Sequence, residues 1–142
     1  MRPPPAVIDT NVVVSGVLTE LSVSPTARIL DGMLAGRFQF LLSVDLLSEY
    51  RAVLLRSQIR SRHGLSEAQV DALLTELAAN GIALEVESPA RASDIRGDEH
   101  LWRLLAHEPS AILVTGDKRL FGQRAGKSLV QTPRDFVGRL ER

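Results

Sequence analysis

The residues best suited to chemistry are four acids that lie far apart in the chain: Asp9, Glu49, Asp98 and Asp117. Asp9 directly follows the short apolar run 6–8, and Asp117 follows the apolar run 111–114 after a Thr-Gly pair. Both runs are typical of buried strands, and parallel strands place their carboxyl ends at one edge of the sheet, where ligands bind in open α/β folds. We therefore expect Asp9 and Asp117 to lie at that edge.

The other two acids belong to segments with helical periodicity. Glu49 lies between Leu46 at i−3 and Val53 at i+4, so it shares an apolar stripe on which an unpaired carboxylate is costly. Asp98 stands at the start of a further segment with helical apolar periodicity. The N-terminus of a helix tolerates a negative charge, so an acid is suited to this position. A crossover helix can begin at the active edge of the sheet, so all four acids are expected to converge.

Carboxylates held close together repel one another, and a hard divalent cation relieves that repulsion. The chain has no cysteine and only three histidines, so oxygen ligation of Mg²⁺ or Mn²⁺ is favoured over a zinc or iron–sulfur site. A water bound to such a cation can attack a phosphodiester. The acids therefore predict hydrolytic cleavage of phosphodiester bonds.

Basic residues lie near these acids although the net charge of the chain is zero. One group follows Asp117 and another follows Glu49, and both are expected to flank the acidic centre: Lys118, Arg119, Arg124, Lys127 and Arg134; Arg56, Arg60, Arg62 and His63. Aromatic residues make up only 4% of the chain, which disfavours a multi-aromatic stacking platform. Contacts to the nucleic-acid backbone are expected to dominate.

The elements that must position these residues alternate along the chain. Strands are predicted at 6–8, 38–42, 82–86, 111–114 and 129–130, and helices at 25–35, 44–55, 66–80, from 98 onward and after 132. Ser24, Ser43, Ser66 and Thr132 have the residue type and position of helix N-caps. The alternation predicts an α/β fold, a three-layer α/β/α sandwich with a central parallel sheet of about five strands.

The length of 142 residues predicts a single domain over 1–142. No apolar run approaches the roughly 20 residues of a membrane span, and no export signal is apparent, so a cytoplasmic location is expected. The histidines are interpreted as surface or core-edge residues, and Trp102 as a packing anchor.

Ordered blocks of the sequence resemble the PIN domain family, in particular PIN-family toxin components of bacterial toxin–antitoxin systems. The blocks are Val7-Ile8-Asp9-Thr10-Asn11-Val12, Leu46-Leu47-Ser48-Glu49-Tyr50, Asp98 with Leu101 and Ala106, Leu113-Val114-Thr115-Gly116-Asp117-Lys118-Arg119-Leu120, and Thr132-Pro133-Arg134-Asp135-Phe136. Their order and strand-end placement cover nearly the whole chain.

This resemblance implies a Mg²⁺- or Mn²⁺-dependent ribonuclease with Asp9, Glu49, Asp98 and Asp117 as its acidic constellation. It further implies that Asn11 and Thr115 support this constellation through hydrogen bonds. A homodimer and a small antitoxin that blocks the active-site groove are also implied. Asp94 and Glu99 are neighbours of the third acid, and Asp98 is preferred because it starts the helix.

Simpler interpretations stay open for each motif. Residues 9–11 are also typical of a turn with an N-cap, residues 115–117 of a tight turn, and Glu49 of an acid paired with Arg51 or Arg56. A non-catalytic module with the same fold is the main alternative function. An α/β phosphatase of the haloacid dehalogenase type fits poorly because Asn11 stands where its second Asp is needed, and a phospho-accepting receiver domain fits poorly because 87–89 lacks its Asp.

Removing one of several repelling carboxylates relieves electrostatic strain. The sequence therefore predicts that Asp9→Asn weakens metal binding and strongly reduces cleavage, while the fold stays intact or becomes slightly more stable.

Overall fold

The computed structural model describes residues 3–86, 99–122 and 129–141. The strands and helices in these ranges are, in chain order, β1 (Ala6–Ile8), α1 (Thr10–Leu18), α2 (Pro25–Leu34), β2 (Leu41–Leu42), α3 (Val44–Leu54), α4 (Ser57–His63), α5 (Glu67–Asn80), β3 (Ile82–Ala83), α6 (Glu99–His107), β4 (Ile112–Val114), a 3-10 helix (Lys118–Gly122), β5 (Leu129–Gln131) and α7 (Pro133–Leu140). The predicted α/β/α sandwich is confirmed.

The strands are parallel, as expected, but the prediction of one sheet of about five strands is wrong. One sheet has three strands in the order β1-β4-β5, and β2 and β3 form a separate pair. A single parallel bridge between Ala6 and Phe40 joins the pair to β1. The division follows from strand length, since β2 and β3 each span two residues and offer few backbone groups for a continuous ladder.

Predicted caps position several helices. Ser24, Ser43 and Thr132 each accept a hydrogen bond from the backbone N–H three residues ahead. Ser66 and Gln69 complete a reciprocal capping box at the start of α5. These helix starts were predictable because the capping bonds are local.

Two helices were missed by the sequence interpretation. α1 begins directly after Asp9, where only a turn and cap were considered, because Val12, Val13 and Val14 are buried in the core and tertiary packing overrides their weak helix propensity. α4 occupies the basic stretch that was interpreted as a patch without an element. Gly64, with a positive φ of 69°, ends α4 as a left-handed cap.

The core surrounds the central strands. β1 and β4 are buried along their whole length, and the register pairs Ile8 with Val114 at their carboxyl ends. Tyr50 and Leu46 of α3, together with Leu101 and Leu104 of α6, are fully buried in the same cluster. In the part of the chain that the structure describes, no helix has the length and apolar character to cross a membrane.

Candidate active site

A cavity of about 650 Å³ opens beside the carboxyl end of β1. Three of the four predicted acids line it, and they come from different elements: Asp9, Glu49 and Asp117. Two arginines, Arg56 and Arg62, line the same cavity. The cavity therefore combines carboxylates with cations of opposite charge.

Asp9 is held in one orientation by its neighbours. It is the N-cap of α1, and its Oδ1 accepts a 2.8 Å hydrogen bond from the Thr10 amide. Its Oδ2 accepts hydrogen bonds from Asn11 Nδ2 at 3.0 Å and from Thr115 Oγ1 at 2.7 Å. The carboxylate is only 4% exposed, so these donors stabilise its charge where water largely does not reach.

Asn11 and Thr115 connect the ends of β1 and β4. Thr115 is fully buried, and its hydroxyl also accepts a 3.0 Å hydrogen bond from the backbone amide of Asp117. Asn11 Oδ1 accepts a 3.0 Å hydrogen bond from the amide of Gly116. Because the strands are in register at Ile8 and Val114, the residues that follow them are brought side by side.

Glu49 projects from α3 and is bound by a histidine that the sequence interpretation did not assign to the site. Its Oε2 forms a short hydrogen bond with Nε2 of His100 in the first turn of α6. Burial alone would raise the pKa of Glu49. The hydrogen bond from His100, the neighbouring Thr10 hydroxyl, and the charges of His100 and Arg56 outweigh burial, so this pKa lies below its ordinary value. Glu49 is therefore ionised at neutral pH.

His100 is 4% exposed, so its expected placement at the surface or core edge is wrong. No sequence signal distinguished it from His63 and His107, since its partner is 51 residues away. The alternative pairing of Glu49 with Arg51 is also corrected, because Arg51 binds Asp71 and Glu67 instead.

Asp117 is bound by Arg119 two residues later. Arg119 Nε lies 3.0 and 3.1 Å from the two carboxylate oxygens of Asp117, and Nη2 lies 2.6 Å from Oδ2. Hydrogen bonds from the side chain and backbone of Arg119 hold the pKa of Asp117 below its ordinary value. The Arg119 side chain is 82% exposed, so this pair lies at the rim.

Tyr50 is fully buried next to Glu49 in the sequence and was not predicted as part of the site. Its hydroxyl donates a 2.5 Å hydrogen bond to the carbonyl of Ile8, the residue before Asp9. Burial, followed by the negative charges of Asp9 and Glu49, raises the pKa of Tyr50 well above its ordinary value. Tyr50 thus stays neutral and anchors α3 to the end of β1.

The remaining residues predicted for the site do not line the cavity in the described structure or are not among the described residues. Asp98, Asp94 and Arg124 lie outside the described residues. Glu99 forms a 3.0 Å ion pair with Arg103 along α6, and Lys118 is exposed.

Arg56 and Arg62 flank the acids, as the basic run after Glu49 suggested. Arg56 is the residue before α4, and Arg62 lies in its last turn. Both side chains line the cavity, and the charge of Arg56 is felt at Glu49. The folding of this stretch into a short helix is what turns a basic run into a cavity wall.

The carboxylates that line the cavity suit a divalent cation that keeps its waters better than one held directly by three protein ligands. Among residues 3–86, 99–122 and 129–141, no three or more His, Asp or Glu side chains form a cluster close enough to hold a metal directly. Mg²⁺, however, commonly uses one or two carboxylates and retains several waters. Ionised oxygen donors that share one cavity fit a hydrated cation of this kind.

The chain matches the sequence profile of a known protein family. A sequence profile described as the PIN domain matches residues 5–119, a range that includes the three acids of the cavity. No curated protein matches the chain significantly.

Proposed function

Because this chain belongs to the PIN domain family, a nuclease-type fold, we propose that it is a metal-dependent endoribonuclease that hydrolyses phosphodiester bonds in single-stranded RNA. The observation that carries the proposal is the shared cavity of Asp9, Glu49 and Asp117. The first of these acids follows β1, the second lies in α3 and the third follows β4, so they line one cavity although they are far apart in sequence.

Each acid has a proposed role. Asp9, Glu49 and Asp117, together with Asp98 from outside the described residues, would hold Mg²⁺ or Mn²⁺ through direct or water-mediated contacts. The bound cation would supply an activated water and would neutralise charge on the phosphate. Asn11 and Thr115 keep the Asp9 carboxylate in place through their hydrogen bonds to Oδ2.

The basic residues are proposed to bind the RNA backbone. Arg56 and Arg62 stand in the cavity wall, where a phosphate that approaches the acids would meet them. Lys118 and Arg119 are exposed beside Asp117. Arg124 is proposed for the same role and lies outside the residues that the structure describes. Guanidinium groups suit this role because they bind phosphate oxygens in a bidentate manner.

We further propose that the protein is the toxin component of a toxin–antitoxin pair and that it forms a homodimer. The resemblance to toxin-type PIN sequences supports this assignment. Val14, Leu18 and Val53 also line the cavity, and apolar lining residues suit an inserted antitoxin segment. Light scattering of the purified protein tests the dimer, and inhibition of cleavage by a small protein encoded beside it tests the pairing.

The proposal is tested by cleavage of labelled single-stranded RNA in the presence of Mg²⁺ or Mn²⁺. A parallel reaction with EDTA serves as the metal-free control. Asp9→Asn and Asp117→Asn are expected to lower the rate by about 10²-fold or more, since each removes a fixed charge from the site. Asp31→Asn, which changes an exposed acid of α2, is the matched control and should retain the wild-type rate. Cleavage that persists in EDTA would contradict the proposal.

A second function, a non-catalytic binding module, is favoured by one observation. His100 and Arg119 already engage Glu49 and Asp117, and the described residues contain no compact three-acid cluster. Metal binding without cleavage of any of several RNAs would support this function. Cleavage that disappears when EDTA removes the metal, or when Asp9 or Asp117 is replaced by Asn, would exclude this second function.

A further inference from the structure

The contact between His100 and Glu49 joins two helices behind the cavity. His100 is the second residue of α6, and Glu49 lies in the middle of α3. The side chain of His100 is 3% exposed and that of Glu49 is 35% exposed. One partner is therefore buried in the protein while the other reaches the cavity.

We propose that His100 is a positioning residue that fixes the Glu49 carboxylate for cation binding, an inference that rests on the proposed function. His100 does not itself line the cavity, so it acts through Glu49 rather than on a ligand. His100 Nε2 holds one carboxylate oxygen of Glu49, and Glu49 lines the cavity in which a ligand would bind.

The chemistry of the pair defines the direction of the hydrogen bond. An ionised carboxylate only accepts, so Nε2 of His100 carries the proton and donates. The other ring nitrogen, Nδ1, is buried and has no hydrogen-bond partner among the described residues. Within the described part of the chain, the ring is thus held by packing and by one polar contact, the one to Glu49.

Fixing Glu49 matters because its side chain has several rotatable bonds and only part of it is buried. Without a partner, the carboxylate would sample several rotamers, and ordering it would oppose cation binding. Groups that hydrogen-bond to metal-binding side chains typically change metal affinity or activity by 10–100-fold when they are removed. Since α3 and α6 are in contact, His100 supports Glu49 from the neighbouring helix.

The test compares His100→Leu with His100→Gln in the full-length protein. The Gln amide N–H can donate to Glu49 in place of Nε2–H, whereas Leu fills the space without a donor. His107→Leu is the matched control, since it makes the same change at an exposed position at the other end of α6. Thermal unfolding of each variant confirms that it is folded.

Mn²⁺ affinity is measured by calorimetry, and kcat and KM by RNA cleavage. We expect His100→Leu to weaken Mn²⁺ binding by about 10–100-fold and to lower kcat more than it raises KM. His100→Gln should restore most of the affinity, and His107→Leu should match the wild type. In the Glu49→Ala background, His100→Leu should have little further effect, because the group that it positions is gone.

A metal-free measurement separates this inference from the proposed function. The NMR order parameter of the Glu49 side chain should fall in His100→Leu and stay high in His100→Gln. Suppose that the wild-type protein neither binds Mn²⁺ nor cleaves RNA, but that the Glu49 order parameter falls in His100→Leu. The proposed function is then overturned, whereas the role of His100 in positioning Glu49 stands. If wild-type protein is active and His100→Leu changes neither order nor affinity, the positioning role is overturned.

Discussion

Thr115 Oγ1 donates a 2.7 Å hydrogen bond to Asp9 Oδ2, which joins two residues that are 106 positions apart. Asp9 directly follows β1 and Thr115 directly follows β4, so this bond ties together the carboxyl ends of two neighbouring strands. Thr115 also accepts from the amide of Asp117. One buried hydroxyl thereby connects two acids of the candidate site.

Thr115→Val is expected to lower the free energy of unfolding by about 1–3 kcal/mol, because it leaves buried polar groups without their partner. Thr115→Ser keeps the hydroxyl and removes one methyl group, so its cost is expected to be about 1 kcal/mol or less. Urea denaturation of the three proteins measures the difference. Equal stability of the Val and Ser variants would show that the hydroxyl contributes nothing.

Arg119→Ala is expected to raise the pKa of Asp117 toward its ordinary value of 3.8, since the hydrogen bonds and charge of Arg119 lower it. The pKa is lower in the folded protein than in the unfolded chain, so the stabilisation is present above pH 3.8 and is lost as the pH falls through the folded-state pKa. The exposed position of Arg119 makes the effect on overall stability small.

A carboxyl ¹³C NMR titration of Asp117 measures this change. Lys118→Ala is the comparison, because it removes an adjacent cation that forms no ion pair with Asp117 in the described structure. An unchanged titration of Asp117 in Arg119→Ala would mean that the pair does not form in solution.

Gly16→Ala is expected to destabilise the contact between α1 and α2 by about 1–3 kcal/mol. A Cβ at this position would lie 2.8 Å from the carbonyl oxygen of Thr26 and 3.0 Å from Cβ of Leu30, so the helices would have to separate. Gly138→Ala in α7 meets no described atom within 4 Å and should stabilise by about 0.5–1 kcal/mol. Urea denaturation of both variants tests the contrast, and a Gly16→Ala protein as stable as the wild type would contradict it.

The structure changes one prediction made from the sequence. Repulsion between acids alone favours an Asp9→Asn protein that is as stable as the wild type or more stable. However, both carboxylate oxygens of Asp9 accept hydrogen bonds, Oδ2 from Asn11 and Thr115 and Oδ1 from the backbone amide that follows it. An Asn side chain offers a single acceptor oxygen, so one side of this arrangement would lose its acceptor. Asp9→Asn is therefore expected to lose stability as well as cleavage, and its unfolding should be measured beside its rate.

The sequence by itself determined the local features of this protein. Ser24, Ser43 and Thr132 cap their helices as predicted, because a cap and its partner amide are three residues apart. Asp9 and Asp117 could also be assigned to strand ends from local sequence, because each acid follows its own apolar run. The parallel sandwich followed from the alternation of such segments.

Only the tertiary structure decided which distant side chains meet. His100 binds Glu49 because α3 packs against α6, and no pattern within either helix encodes that contact. The separation of β2 and β3 from the three-stranded sheet likewise depends on strand pairing across the core. Side-chain types and local spacing determine what a residue can do, whereas the packing of helices and strands determines the partner with which it does so.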